Sequence, residues 1–386
     1  MTTWPQYSKE EISAVSNVLE SGNVNYWTGE NCKKFELEFA DYCNTKFAVS
    51  LMNGSVALEV ALRSIGINYE DEVIVTSRTF IASVSAIINV GAVPIFVDID
   101  KDSQNISPEL ISSQVSEKTK AIICVHLAGW PCEMDNIMKL SKKLNLFVIE
   151  DCSQAHGAKY KGFPVGSIGD VGCWSFCQDK IISTGGEGGM ITTNNEKIWE
   201  KIWSYKDHGK SYHKLMEVHN KEGFRWIHDA FGTNYRMTEM QAVIGRIQLR
   251  KLNKWNKERY SYSKIIWEFS KDISSLRVPE IPKEINHACY RCYIFVRPEL
   301  LKNSWDRNRI VRELNSKGVL CNSGSCSEVY LEDAFSKTNY KPKERLKVAK
   351  NLGDTSIAFF VHPGLTESYI NVLCKNLGLI MSKAVR

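Results

Sequence analysis

Apolar residues recur along this chain in two rhythms. Short, β-branched runs at Phe47 to Leu51, Val73 to Thr76, Val93 to Val97, Ala121 to Val125 and Leu146 to Ile149 predict strands. Between them, Val56 to Ile65, Ile81 to Val90 and Ile137 to Leu144 have the spacing of amphipathic helices. This alternation predicts βαβ units, an α/β fold in which helices cover a mostly parallel sheet. Helical character returns from Thr238 to Phe269, with Leu249, Leu252 and Trp255 on one face, and the style changes at Pro279 and Pro282. An alternating strand (Cys289 to Val296), a helix (Arg307 to Lys317), a Gly/Ser/Cys turn around Ser323 to Ser327 and a final helix from Glu367 follow. They predict a small C-terminal α+β domain, so the expected division is a large domain over 1–250 and a small one over 251–386.

Composition narrows the function class. The chain has 386 residues, 43% of them hydrophobic, enough for a large core and about two domains. Its formal net charge of +5 is scattered over the sequence, which argues against nucleic acid as a partner. Met1 to Glu20 lacks the basic start and apolar run of a signal peptide, and no apolar run reaches membrane-spanning length. A cytoplasmic protein with no membrane partner is expected, its twelve cysteines being reduced thiols.

Three segments can carry chemistry. Val148-Ile149-Glu150-Asp151 is an apolar strand ending in acid, continued by Cys152-Ser153-Gln154-Ala155-His156-Gly157; ligands of open α/β sheets bind at such ends. The alternative is an Asp that only caps the next helix. Lys180 lies between a short strand, Gly172 to Phe176, and the turn Gly185-Gly186-Glu187-Gly188-Gly189. Partial desolvation there would make its amine nucleophilic, whereas a solvated loop lysine is the ordinary alternative. Asn53-Gly54-Ser55-Val56 joins a strand to a helix and can point backbone N–H groups at an anion, or be a simple N-cap. Cys289-Tyr290-Arg291-Cys292 with His287 has zinc-like spacing, but no second pair matches it. One face of a strand explains the cysteines, and no metal is expected.

These segments, in this order, resemble the DegT-type sugar-nucleotide aminotransferases, a branch of the fold-type I pyridoxal-phosphate (PLP) enzymes. The resemblance runs from Tyr26-Trp27-Thr28-Gly29 through Glu150-Asp151 and the glycine-rich loop to Asn234-Tyr235-Arg236-Met237 and Val361-His362-Pro363. It implies an aspartate-aminotransferase-like large domain, with Lys180 as the lysine that holds PLP and Asp151 as partner of the pyridine nitrogen. Gln154 resembles the contact of the phenolic oxygen, and Phe80 the ring stacked on the cofactor, although Phe80 also reads as ordinary core. For the phosphate the resemblance implies Ser55, the backbone of Val56, Ser175, and Asn234 from a neighbouring subunit, hence a homodimer with shared active sites. His156 and His208 take support roles. The pattern departs where Cys177-Gln178 replaces a His-Pro pair and where Arg78 replaces a small or apolar residue. Trp27, Arg78 and the Ser323 to Ser327 turn are candidate substrate contacts.

The implied reaction moves an amino group from L-glutamate to a nucleotide-linked keto sugar, PLP cycling with pyridoxamine phosphate, for amino-sugar, O-antigen or other surface-glycan biosynthesis. A 4-keto-6-deoxy sugar is expected, with 3-keto sugars and cyclitol ketones as alternatives. A PLP-dependent sugar dehydratase of the same fold is the rival enzyme, but there the lysine is typically a histidine, and this chain keeps Lys180. A non-catalytic protein on a retired scaffold is the other rival.

Overall fold

A computed structural model describes residues 4–217 and 223–386; residues 1–3 of the polar start and 218–222 lie outside it. The five strands predicted from β-branched runs form as β1 (Phe47–Leu51), β2 (Glu72–Thr76), β3 (Val93–Val97), β4 (Thr119–Val125) and β5 (Phe147–Asp151). With β6 (Val171–Ser175) and β7 (Gly189–Thr193) they make a seven-stranded sheet ordered β1-β7-β6-β5-β4-β2-β3. Only β7 runs against its neighbours. Interior strands such as β6 and β7 are buried along their whole length, as expected where helices cover both faces. Helix Gly54–Ser64 lies across β6 and β7, and the cluster of Val49, Val60, Leu62, Val73, Ile123 and Ile149 forms much of the core beneath it.

The C-terminal region forms a second sheet from β8 (Leu276–Arg277), β9 (Arg291–Val296), β10 (Cys321–Asn322) and β11 (Ser356–Phe360), ordered β8-β9-β11-β10. Helices Arg307–Ser316 and Glu367–Ala384 cover it, burying Ile310, Leu314, Ile370, Leu373 and Leu377. The helix Glu239–Lys271 reaches both sheets. It starts at a capping box, where Thr238 and Gln241 exchange side-chain-to-backbone bonds. Its first half lies against the N-terminal helices and its second half against β8 and β9, so the division expected at 250/251 falls inside one continuous helix.

The strand expected from Cys289 begins at Arg291, because Cys289 has a left-handed φ of 50°. Residues three apart also cannot share a strand face, so the single-face explanation of Cys289 and Cys292 is corrected. Both thiols are simply buried in the small-domain core. Among the described residues no helix is long and apolar enough to cross a membrane.

Candidate active site

The C-terminal ends of β2, β5 and β6 open into a cavity of about 560 Å³, closed on the far side by residues of the small sheet. Asp151 ends β5, Ser175 ends β6, and Thr79 and Phe80 follow β2. Ser55, Phe80, Asp151, Gln154, Ser175 and Lys180 all line this space.

One end is built from the turn before helix Gly54–Ser64. Asn53 is extended, and its Oδ1 accepts the Val56 N–H at 3.0 Å. That bond commits the Val56 amide, and Val56 is not part of the lining. The N–H groups of Gly54 and Ser55 and the Ser55 and Ser175 hydroxyls remain as donors around the helix N-terminus, where anions are favoured. Gly54 permits the close approach, since a Cβ there would lie 2.5 Å from Ser175 Cβ.

Asp151 is buried, with Oδ2 accepting the Ser83 hydroxyl at 2.8 Å and Oδ1 the Ser153 N–H at 3.1 Å. Among the described residues it has no ion-pair partner. A buried carboxylate with two hydrogen bonds and no counter-charge is suited to a cationic group entering from the cavity. Gln154 Oε1 accepts the Ala128 N–H at 2.8 Å, which leaves its amide end as a donor. Phe80 is 67% exposed on the cavity wall, so it is not core.

Lys180 Nζ lies 3.1 Å from Asp179 Oδ1 and 5.3 Å from the centre of the Tyr290 ring. Burial lowers its pKa, but Tyr290 and the Asp179 carboxylate outweigh burial and hold it above the ordinary lysine value. The lysine is thus desolvated rather than a solvated loop residue, but with Asp179 beside it the protonated amine is favoured. Trp4 Nε1 donates to the Lys180 carbonyl at 2.8 Å and ties the N-terminal segment to the lysine turn. His156 is buried against Trp174 and Phe176, and burial, aided by the charge of Lys180, pushes its pKa down to about 3. It stays neutral near physiological pH.

The far wall includes Tyr290, Arg291, Tyr293, Asn322, Gly324 and Ser325. Of the expected turn, Gly324, Ser325 and Cys326 reach the cavity. Arg78 does not. It is fully buried behind the wall, donating from Nη1 to Ser327 Oγ at 2.6 Å and from Nη2 to Ser356 Oγ at 2.9 Å, 5.6 Å from the Tyr293 ring centre. Trp27 also lies elsewhere, beneath Lys210 at 4.3 Å. Asn234 bridges to Asp207 on a segment outside the cavity of its own chain, and the exposed His208 lies on that same segment.

Sequence reasoning missed Ser83, Ser153, Asp179, Tyr290, Arg291 and Tyr293. Only Asp179, next to the lysine, carried a local signal. The buried trio His126, Glu150 and Cys152 has metal-like proximity, but Glu150 already accepts from His126 Nε2 and from the N–H groups of Gly166, Ile168 and Gly169. His126 Nδ1 accepts the Cys132 N–H at 3.0 Å, so the ring has no lone pair left for an ion. Burial would raise the Glu150 carboxyl, yet these bonds bring it below the ordinary carboxylate range.

The profile of the DegT/DnrJ/EryC1/StrS aminotransferase family matches residues 5–377. The structure is similar to the X-ray structure of an aminotransferase from Psychrobacter cryohalolentis, with a TM-score of 0.97 and 51% identity, covering 99% of each chain. The sequence is 39% identical over 294 residues to GDP-perosamine synthase of Escherichia coli O157:H7, covering 76% of this chain and 77% of that one. It is 40% identical over 256 residues to dTDP-3-amino-3,6-dideoxy-alpha-D-galactopyranose transaminase of Aneurinibacillus thermoaerophilus, covering 66% of each.

Proposed function

The chain belongs to the DegT/DnrJ/EryC1/StrS aminotransferase family, and from that membership we propose that it transfers an amino group from L-glutamate to a nucleotide-linked keto sugar, specifically a 4-keto-6-deoxy sugar. It is a PLP-dependent enzyme. The observation that carries the reading is the single cavity in which Lys180, Asp151 and the Ser55 and Ser175 hydroxyls meet.

Bound there, PLP supplies an electron sink for the pair released when a Cα–H bond breaks. Asp151 would hold the ring nitrogen, its buried carboxylate, without an ion-pair partner among the described residues, favouring the protonated nitrogen. Ser55, Ser175 and the amides of Gly54 and Ser55 would hold the phosphate, with Asn234 of the partner subunit completing the site. Phe80 would cover a ring face, and the amide end of Gln154 would donate to the phenolic oxygen. Lys180 holds the cofactor at rest. When its amine is displaced, Nζ carries the proton between the reacting carbons, with Asp179 at 3.1 Å stabilising its protonated form.

The relatives named above differ in nucleotide, GDP in one and dTDP in the other, so the base is left to experiment. The test is to incubate the holoenzyme with 15N-glutamate and 4-keto-6-deoxy sugars linked to GDP, dTDP or UDP, and to follow the label by mass spectrometry. Transfer to one of these sugars with release of 2-oxoglutarate is expected. Label reaching only 3-keto sugars or cyclitol ketones would overturn the 4-keto assignment, and transfer to none would overturn the substrate class.

A further inference from the structure

Among the described residues, two cationic side chains line the cavity, Lys180 and Arg291. Asp179 links them: Oδ1 lies 3.1 Å from Lys180 Nζ, and Oδ2 lies 3.8 Å from Arg291 Nη2. The Tyr290 hydroxyl donates to Asp179 Oδ2 and accepts from Arg291 Nη2 at 3.3 Å. Arg291 is held from two sides, its guanidinium carbon 4.1 Å from the Tyr290 ring centre and 4.2 Å from that of Phe360, while Nη1 donates to the Tyr290 carbonyl at 3.0 Å. These bonds use two of the five N–H groups of a guanidinium. A fork already fixed in place loses little freedom when it takes a carboxylate.

We propose that Arg291 is the receptor for the α-carboxylate of the amino donor. The inference rests on the transaminase reading and adds the residue that recognises the first substrate. Amino transfer is centred on Lys180. In an amino acid the α-carboxylate is bonded to the very carbon that carries the amine, so its receptor must lie close to Nζ. Arg291 meets that requirement, since one carboxylate, that of Asp179, spans from Lys180 to Arg291. A sugar nucleotide carries its diphosphate on the anomeric carbon, at least two ring bonds and a glycosidic oxygen from a ring ketone, so its anion falls further away. The pairing of Arg291 with Asp179 is long at 3.8 Å, and the Asp179 side chain is half exposed. Such a pair is weak and yields to a donor carboxylate that can bind the fork with two parallel bonds.

The test compares L-glutamate with 4-aminobutyrate, which is glutamate without its α-carboxylate, in single-turnover reactions of the holoenzyme followed by cofactor absorbance. Arg291→Gln should lower kcat/KM for glutamate about 10- to 100-fold, the range for bonds to a charged group, while leaving 4-aminobutyrate nearly unchanged. Arg291→Lys should recover part of the loss. The ratio of the two donors does not depend on the folded fraction of the variant. In parallel, calorimetry on the PLP form should show weaker binding of 2-oxoglutarate to Arg291→Gln than to the native enzyme. Equal losses with both donors, or unchanged 2-oxoglutarate affinity, would overturn the assignment. A native holoenzyme that reacts with neither amine would instead overturn the transaminase reading, and the assignment with it.

Discussion

Gly54 and Ser175 come from different segments and touch so closely that a Cβ on residue 54 would lie 2.5 Å from the serine Cβ. The contact joins the start of helix Gly54–Ser64 to the end of β6 and brings two hydroxyls to one helix N-terminus. Gly54→Ala must push these segments apart, at a cost of about 1–3 kcal/mol. Because the strain falls on the proposed phosphate site, PLP retention should weaken at least about tenfold, read by equilibrium dialysis. Unchanged retention would place the phosphate elsewhere.

Arg78 acts behind the cavity wall. Its guanidinium bonds Ser327 and Ser356, beside the Tyr293 ring, whose hydroxyl accepts the Ser325 N–H at 2.9 Å. Burial lowers its pKa, opposed by Tyr293. Arg78→Met removes two charge-assisted bonds, together worth about 3 kcal/mol or more, and should lower the thermal midpoint. The loosened turn should raise KM for the sugar nucleotide while the glutamate half-reaction keeps its rate, which stopped-flow absorbance can separate.

Acid should destabilise the fold early. Burial pushes His156 and His287 down to about 3, from 6.5. Below pH 6.5 the unfolded chain takes up protons that these folded imidazoles refuse, so stability falls with pH by about 1.4 kcal/mol per unit per group until pH 3. Glu150 adds to this at lower pH: its depressed carboxyl contributes stability that is present above 4.5 and lost as pH falls below it. His287 Nδ1 accepts the Cys289 N–H at 2.9 Å, an acceptor role that Asn can keep. The urea midpoint of His287→Asn should therefore fall less steeply than that of the native protein between pH 6 and 4. Parallel curves would show that His287 does not carry the slope.

A shared active site predicts complementation. Lys180→Ala and Asn234→Ala each disable every site of a homodimer, but a mixed dimer rebuilds one intact site from the two unaltered halves. After co-refolding in equal amounts, about one site in four should regain activity. No recovery in a verified heterodimer would assign the whole site to one chain.

The sequence made the parallel core legible because β-branched runs between amphipathic helices have few other uses, and Asp151 stood out as acid at the end of an apolar strand. Lys180 owed its role to the family resemblance, not to local signal. Helices Lys9–Ser21 and Asn31–Cys43 were not foreseen, because charged residues dilute their apolar stripes, and β7 gives no local sign that it runs antiparallel. Tyr290 and Arg291 meet Asp179 only through the docking of the small sheet, 111 positions along the chain from Asp179 to Tyr290. Arg78 misled as a charged residue at a strand end, because its buried partners Ser327 and Ser356 lie 249 and 278 positions away.

The central claim, that Lys180 holds PLP for amino transfer, is tested most directly by visible absorbance of the purified protein before and after L-glutamate, repeated for Lys180→Ala. The native protein should show a Schiff-base band that fades with glutamate, and the variant a shifted band and no multiple turnover. A colourless protein unchanged by added PLP, or a variant that turns over repeatedly, would contradict it.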